Sequence, residues 1–385
     1  MSDDGTTLKT KLSGGALRIL VMGIGLILII YFLQYEVLEK GTASPAGTSS
    51  LNSSTTTLET STAGRIGPFN GDWANLRGVA YPWQELSLHP DQNGAPAPEW
   101  SFAEFRNLGW NMIRLDMGSW GKYLQNKTAF LNTFARVFNS ADANGIYVVF
   151  CFAPAYDEMP ADIQAAVPAA SWASFWWADS PYPGTNSSLH GLGIWEASFK
   201  GYIEPMLETF GSRQSLLMLK FVNEPGGLPT DALGTLARYY GVMGNLARAA
   251  GFRGYLSYEG PGGHEGYAGL ISDILTYAPN FKPAVYDVHY PDPSGIAGDA
   301  ALASTNGVAL WVGEVSESWV SSASLGALHQ YNAALTVYRW DEDGGLLVRW
   351  TGGWNTAPPT GTLTQTATSL SDLETQVLGV PEFFA

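Results

Sequence analysis

From Asn75 onward the chain alternates short β-rich runs with helix-patterned stretches, and this alternation restricts its fold more than any other feature. Eight runs can be read, at residues 76–80, 112–116, 147–151, 217–222, 254–258, 285–289, 309–313 and 335–340. Helical patterns fall between them, among others at 103–108, 130–138 and 236–250, the last ended by Gly251 as a C-cap. Strand and helix in turn are the signature of βα units on a parallel sheet. Eight is the number that closes such a sheet into a barrel. A doubly wound open sheet alternates in the same way, so periodicity alone does not separate the two. The barrel is favoured because the polar residues of interest gather at the C-terminal ends of the strands, where (β/α)8 enzymes place their chemistry. The expected fold class is therefore α/β, a single (β/α)8 TIM barrel.

The barrel does not start at the first residue. Residues 19–33 are unbroken in apolar character and extend with softer flanks to 16–38, long enough to span a bilayer as a helix. Lys9, Lys11 and Arg18 precede this run, while Glu36 and Glu39 follow it with Lys40 alone against them. That bias places the N-terminus inside and the remainder outside. Thr42-Ala43-Ser44 offers small residues to a signal peptidase, but the apolar core is long for a signal peptide, so an uncleaved anchor is expected. Residues 42–64 are dominated by Ser and Thr and read as a flexible, glycosylated stalk. Asn52, Asn126 and Asn186 each open a glycosylation triplet. The organisation read from this is a cytoplasmic tail (1–15), a transmembrane signal anchor (16–38), a disordered Ser/Thr-rich linker (39–68) and the barrel (69–385). The barrel would stand outside the cell membrane, or be secreted if the anchor is cut.

The net charge is −15, and charged residues make up 14% of the chain, against roughly 25% in an average soluble protein. Phosphates reward Lys and Arg, so nucleic acid and anionic membrane surfaces are excluded as partners. The one cysteine, Cys151, lies in an apolar run with no cation near it in sequence, and reads as a buried, inert thiol. The chain has no His/Cys cluster for zinc, no phosphate-cradling glycine loop and no Gly-x-Ser-x-Gly elbow, so no metal and no cofactor are implied. A monomer is expected.

The most informative stretch is Lys220-Phe221-Val222-Asn223-Glu224-Pro225. Pro225 cannot continue a central strand, so Glu224 is presented at a strand's C-terminal end. Three strands later Trp311-Val312-Gly313-Glu314-Val315 repeats the design with a second carboxylate. One strand-end Glu is most often a surface or salt-bridge residue. Two facing each other across a barrel mouth are what glycoside cleavage requires, one to protonate the leaving oxygen and one to attack the anomeric carbon or activate water. Asn223 can bind a sugar hydroxyl beside Glu224. Arg114, at the end of the second strand, can keep Glu314 ionised, while Glu224, with no obvious cation, should titrate higher.

Asn-Glu-Pro after the fourth strand and Gly-Glu after the seventh resemble the clan of barrel glycosidases that includes glycoside hydrolase family 5, the cellulase family, or a close sister family. Arg114 on the second strand, His289-Tyr290 on the sixth and Trp340 closing the eighth match the same pattern, over residues 76–341. The resemblance implies an extracytoplasmic retaining β-glycoside hydrolase acting on a β-linked glycan of glucan or mannan type. In it Glu224 would be acid/base, Glu314 nucleophile, Tyr290 a hydrogen-bond partner of the nucleophile, His289 an organiser of the centre, and Trp340 the floor of the sugar subsite. There is one departure: where the family usually carries His after the third strand, this chain has Ala153.

The long insertion between the third and fourth strands carries Trp172, Phe175, Trp176 and Trp177, of which Trp176 or Trp177 is expected to form a substrate subsite or lid. Trp83, Trp120 and Trp319 are weaker candidates. Glu259 reads equally as a substrate contact or as loop structure, and His264 as an exposed loop residue. Asp341-Glu342-Asp343 reads as a solvated acidic run, because calcium loops space their ligands differently. A hairpin is expected within 344–359 and a last helix at 369–378. The competing reading is an inactive barrel that binds surface glycans as an adhesin. A retaining enzyme would hold its two carboxyl groups about 5–5.5 Å apart.

Overall fold

Eight parallel strands close on themselves in sequence order, β1 (Arg77–Tyr81), β2 (Met112–Gly118), β3 (Tyr147–Phe152), β4 (Leu216–Lys220), β5 (Tyr255–Tyr258), β6 (Ala284–His289), β7 (Ala309–Val315) and β8 (Ala333–Val337). Pairing of β1 with both β2 and β8 closes the barrel and excludes the doubly wound sheet. This computed structural model describes residues 66, 68–81, 98–263, 269–338, 348–350, 361–363 and 365–378. The expected anchor, the linker apart from Ile66 and Pro68, Trp83, His264, Trp340 and the acidic run 341–343 lie outside the described residues. Among those that are described, no helix is long and apolar enough to cross a membrane.

Several strand boundaries differ from the sequence expectation, among them that of β7, which runs on through Glu314 to Val315. β4 ends at Lys220 instead of continuing to residue 222, which frees the chain to turn towards Glu224. β8 spans Ala333–Val337 rather than 335–340, and its first residues pair with Leu310 and Trp311 of β7. Asn332 sets this earlier start: it sits in the left-handed region (φ 51) and its side-chain oxygen accepts from the Ala74 N–H at 2.9 Å. Two small alanines carry no β signal of their own, and their burial between β7 and β1 decides the matter.

The strands bury both faces. Met112, Tyr147, Val149, Met218, Val285 and Trp311 fill the lumen above Trp73, which packs edge-on against Phe69 and Tyr255. The outer faces pack on helices that include Pro98–Asn107, Lys127–Asn144, Ala232–Ala249, Leu270–Tyr277, Ile296–Asn306 and Ser322–Gln330. Helix Lys127–Asn144 is closed at both ends, by the Asn126 side chain accepting from Ala129 N–H and by left-handed Gly145. Gly78 allows β1 to meet β2, since a Cβ there would sit 1.6 Å from the Met112 carbonyl oxygen. Beyond the barrel Val348–Trp350 and Gly361–Leu363 form an antiparallel pair.

The helix Gln365–Leu378, which starts four residues earlier than expected, carries Glu374 into the interior. The Trp110 indole N–H donates to Glu374 Oε2 at 2.6 Å. Burial raises its carboxyl pKa to about 7, against the pull of Arg77 and Trp110. The folded state therefore binds this proton more tightly than the unfolded chain. The stabilisation is fully present below the unfolded pKa and is lost as pH rises through about 7. Glu374→Gln keeps an acceptor without the charge. Thermal melts of wild type and variant should nearly coincide below about pH 4.5, diverge as pH rises to about 7, and keep above neutrality a gap of roughly 3 kcal/mol in favour of the variant. A gap that stays constant across this range would contradict the assignment.

Candidate active site

Glu224 follows β4 by four residues and occupies the left-handed region at φ 44, a conformation that residues with a Cβ adopt at a cost. The strain is held by a charge-assisted hydrogen bond: the Glu224 backbone N–H donates to Glu259 Oε1 at 2.6 Å. Its side chain is 37% exposed. Glu314 lies on β7 with its side chain only 10% exposed, and Arg114 Nη1 of β2 stands 2.8 Å from its Oε2. The same guanidinium nitrogen donates to the Gly313 carbonyl at 3.0 Å, which ties the cation to the strand that carries Glu314.

A register shift between β6 and β7 places His289 opposite Glu314. His289 is fully buried, with Nδ1 2.8 Å from Glu224 Oε1 and 3.6 Å from Glu314 Oε2. One oxygen of Glu224, one of Glu314 and a ring nitrogen of His289 all lie within 4.8 Å of one another. Tyr290, also left-handed at φ 46, is tied to Glu314 through the main chain, its N–H donating to the Glu314 carbonyl at 2.9 Å. The residues that sequence reasoning singled out as Arg114, Glu224, His289, Tyr290 and Glu314 thus meet at one end of the barrel. Trp340 cannot be placed among them.

Asn223 lines a cavity of about 190 Å³ together with Ala153, Trp172, Trp176 and Trp177. Its Oδ1 is buried and has no hydrogen-bond partner among the described residues. Trp176 and Trp177 are 2% and 6% exposed and pack on Tyr239. The indole N–H groups of Trp172 and Trp177 donate to the carbonyls of Pro154 and Gly226, so these rings offer carbon to the cavity. Trp120 is fully buried, and Trp319 is partly buried with its N–H on the Pro291 carbonyl.

Sequence reasoning gives no role to Lys220 and Asp287, which form the layer beneath. Lys220, 1% exposed, directs its ammonium at Glu259 Oε2 (2.9 Å), at Asp287 Oδ2 and at His289 Nε2 (3.2 Å). Glu259, left open as contact or loop, is buried here and joins Lys220 to the Glu224 backbone. Burial works against the charge of each group, and the cluster answers it. Lys220 stays above its ordinary value because Asp287 and Glu259 outweigh burial, and Asp287 is drawn down to about 2 chiefly by Lys220. In Glu259, burial wins and raises the pKa. Burial, the largest influence, and Lys220 lower the pKa of His289, but the Asp287 and Glu224 carboxylates leave it above the usual value.

Among the described residues two groups have the spacing of metal ligands, Glu224–His289–Glu314 and Glu259–Asp287–His289. The second is already filled by the Lys220 ammonium. The chemistry open to the first is that of two carboxyl groups flanking one reacting atom, with an imidazole bridging them.

A family model described as Cellulase (glycosyl hydrolase family 5) matches residues 70–334. No curated protein sequence matches the chain. Among solved structures the fold is similar to endo-glycoceramidase II from Rhodococcus sp., seen as a lactosyl-enzyme intermediate, at 15% identity and a TM-score of 0.53 over 77% of this chain and 78% of that one. It is also similar to an endo-β-1,4-glucanase from Xanthomonas axonopodis pv. citri, at 12% identity and a TM-score of 0.50 over 78% of this chain and 99% of that one. A third similar structure is XacCel5A in complex with cellopentaose, at 14% identity and a TM-score of 0.51 with the same coverage.

Proposed function

The chain belongs to the cellulase family, glycosyl hydrolase family 5, and is a glycoside hydrolase; from this premise we propose that it cleaves β-linked glycans of glucan or mannan type with retention of configuration. Glu224 is the acid/base and Glu314 the nucleophile. The observation that carries this reading is the approach of the two carboxyl groups, with oxygens within 4.8 Å. An approach of one oxygen of each to within 4.8 Å suits a retaining pair at about 5–5.5 Å better than an inverting pair at about 6.5–9.5 Å. The division of roles follows the surroundings. Glu314 is enclosed and faces Arg114, as an anion that attacks carbon should. Glu224 is the more exposed and can exchange a proton with solvent in every cycle.

In the first step Glu314 forms a bond to the anomeric carbon while Glu224 passes its proton to the departing oxygen. In the second, Glu224 removes a proton from water, which attacks the same carbon and releases Glu314. The lactosyl-enzyme form of the Rhodococcus neighbour supports a covalent route, and the endo-β-1,4-glucanase and the cellopentaose complex among the others support a β-linked substrate. Asn223 is assigned to a sugar hydroxyl. Trp340, Trp176 and Trp177 are assigned to carbohydrate packing. The apolar run 16–38 and its flanking charges support a barrel tethered outside the membrane.

The test is to offer the full-length protein β-glucans, β-mannans and aryl β-glycosides, and to follow the first product by proton NMR before it mutarotates. The β-anomer is expected. An α-anomer as first product would end the retaining assignment. Glycan binding without turnover would favour the adhesin.

A further inference from the structure

Lys220 closes β4 inside the barrel and its ammonium touches three acceptors, Glu259 Oε2, Asp287 Oδ2 and His289 Nε2. An ammonium has three N–H bonds and no lone pair, so each contact consumes one proton. Nε2 of His289 lies nearer the ammonium (3.2 Å) than Glu259 Oε2 (3.5 Å) or Asp287 Oδ2 (3.7 Å), a geometry met when Nε2 presents its lone pair and the imidazole proton sits on Nδ1. Nδ1 is 2.8 Å from Glu224 Oε1. Oε1 is therefore an acceptor whether Glu224 is ionised or not, and a proton on this carboxyl can reside only on Oε2.

A second arm leaves the same ammonium. Glu259 spends Oε2 on Lys220 and Oε1 on the backbone N–H of Glu224. It is itself clamped, its N–H donating to the Tyr240 hydroxyl at 3.1 Å and its carbonyl accepting from that hydroxyl at 3.2 Å. One arm thus fixes the side chain of Glu224 and the other its left-handed backbone.

We propose that Lys220 is the positioning residue of this site, a built-in cation that sets the tautomer of His289 and the backbone of Glu224 and so keeps the acid proton on Oε2. The proposal rests on the reading of Glu224 as acid/base. The groups facing the cluster come from every neighbouring strand. They are Arg114 of β2, Cys151 of β3, Glu224 after β4, Glu259 after β5, Asp287 and His289 of β6, and Glu314 of β7, with the Trp311 ring 5.7 Å from the ammonium. The Asp287 and Glu224 carboxylates would draw a second proton onto His289. A proton on Nε2 would point at the ammonium 3.2 Å away, and the pull from Glu224 fades once that carboxyl carries its own proton.

The first measurement is side-chain nitrogen NMR on the full-length chain labelled with 15N-histidine, with His289 assigned among five histidines by loss of its signal in His289→Gln. A neutral ring with the proton on Nδ1 near neutral pH is expected. An imidazolium, or a proton on Nε2, overturns the proposal. This spectrum is read whether or not any glycoside is turned over, so its failure and failure of the glycosidase reading are separate results.

The second measurement uses Lys220→Met combined with Asp287→Asn, which removes opposite charges together. Acid assistance commonly contributes about 10²–10⁴-fold. If Lys220 aims the acid proton, kcat/KM on alkyl or oligosaccharide substrates should fall at least about tenfold, and the basic limb of its pH profile should shift. On dinitrophenyl glycosides, whose leaving group needs no proton, kcat/KM reports only the step up to the glycosyl-enzyme and should change little. Equal losses on both substrate types, or none on either, refute the positioning role.

Discussion

Glu314→Ala should abolish turnover of every glycoside, whereas Glu224→Ala should abolish it only where the leaving group needs a proton. The asymmetry follows from the two steps. Without Glu314 no bond to the anomeric carbon forms, and losses on the order of 10⁴-fold or more are expected even for dinitrophenyl glycosides. Without Glu224 an activated substrate still forms the glycosyl-enzyme, but water then lacks its base, so a burst of dinitrophenol should precede slow release. Azide needs no base and fits the space vacated by either carboxylate. In Glu224→Ala it should capture the glycosyl-enzyme and give a β-glycosyl azide. In Glu314→Ala it should attack the substrate directly and give the α-azide. The opposite pairing of variant and anomer would reverse the two assignments, and identical products would dismiss the double displacement altogether.

Both carboxylates could be found without coordinates because each stands at the C-terminal end of an apolar run, Glu224 just before Pro225 and Glu314 within β7 next to its last residue. Arg114 and His289 could be found because a polar residue at the end of an apolar strand needs a reason. The inner layer is marked in the sequence as well. Lys220 stands between Leu219 and Phe221, and Asp287 between Tyr286 and Val288, in runs whose other members are all buried. A charge inside such a run demands a buried counter-charge, because a lone one costs several kcal/mol. What linear reading lacks is the partner, since Lys220, Glu259 and Asp287 meet only after β4, β5 and β6 lie side by side in register. Backbone conformation is hidden for a similar reason. Nothing in Asn223-Glu224-Pro225 announces a left-handed Glu224. The Glu259 carboxylate imposes it from 35 residues away. The start of β8 is hidden in the sequence because Ala333 and Ala334 owe their strand conformation to neighbours and not to propensity.

Gly313→Ala should be the most damaging methyl group that can be added to this chain's catalytic layer. A Cβ at this position would lie 2.1 Å from Asp287 Oδ1 and 2.9 Å from its Cγ. Asp287 cannot swing aside, because it is fully buried and its other oxygen is bound to Lys220. The strand must move instead, and it carries Glu314 on the next residue and the carbonyl that receives Arg114. Overpacking of this kind, added to a loosened buried ion pair, should cost about 3 kcal/mol. That corresponds to a Tm lower by roughly 5–10 °C. A displacement near 1 Å at Glu314 should lower kcat/KM by about 10²-fold in the fraction that remains folded. Gly326→Ala is the control of opposite sign. Gly326 lies in the helix Ser322–Gln330 with nothing within 4 Å of an added Cβ. Alanine there should raise stability by up to about 1 kcal/mol through helix propensity and leave kcat/KM unchanged. If Gly313→Ala melted and turned over like wild type, Asp287 would be free to move. The Lys220 cluster would then not be the rigid base on which the two carboxylates stand.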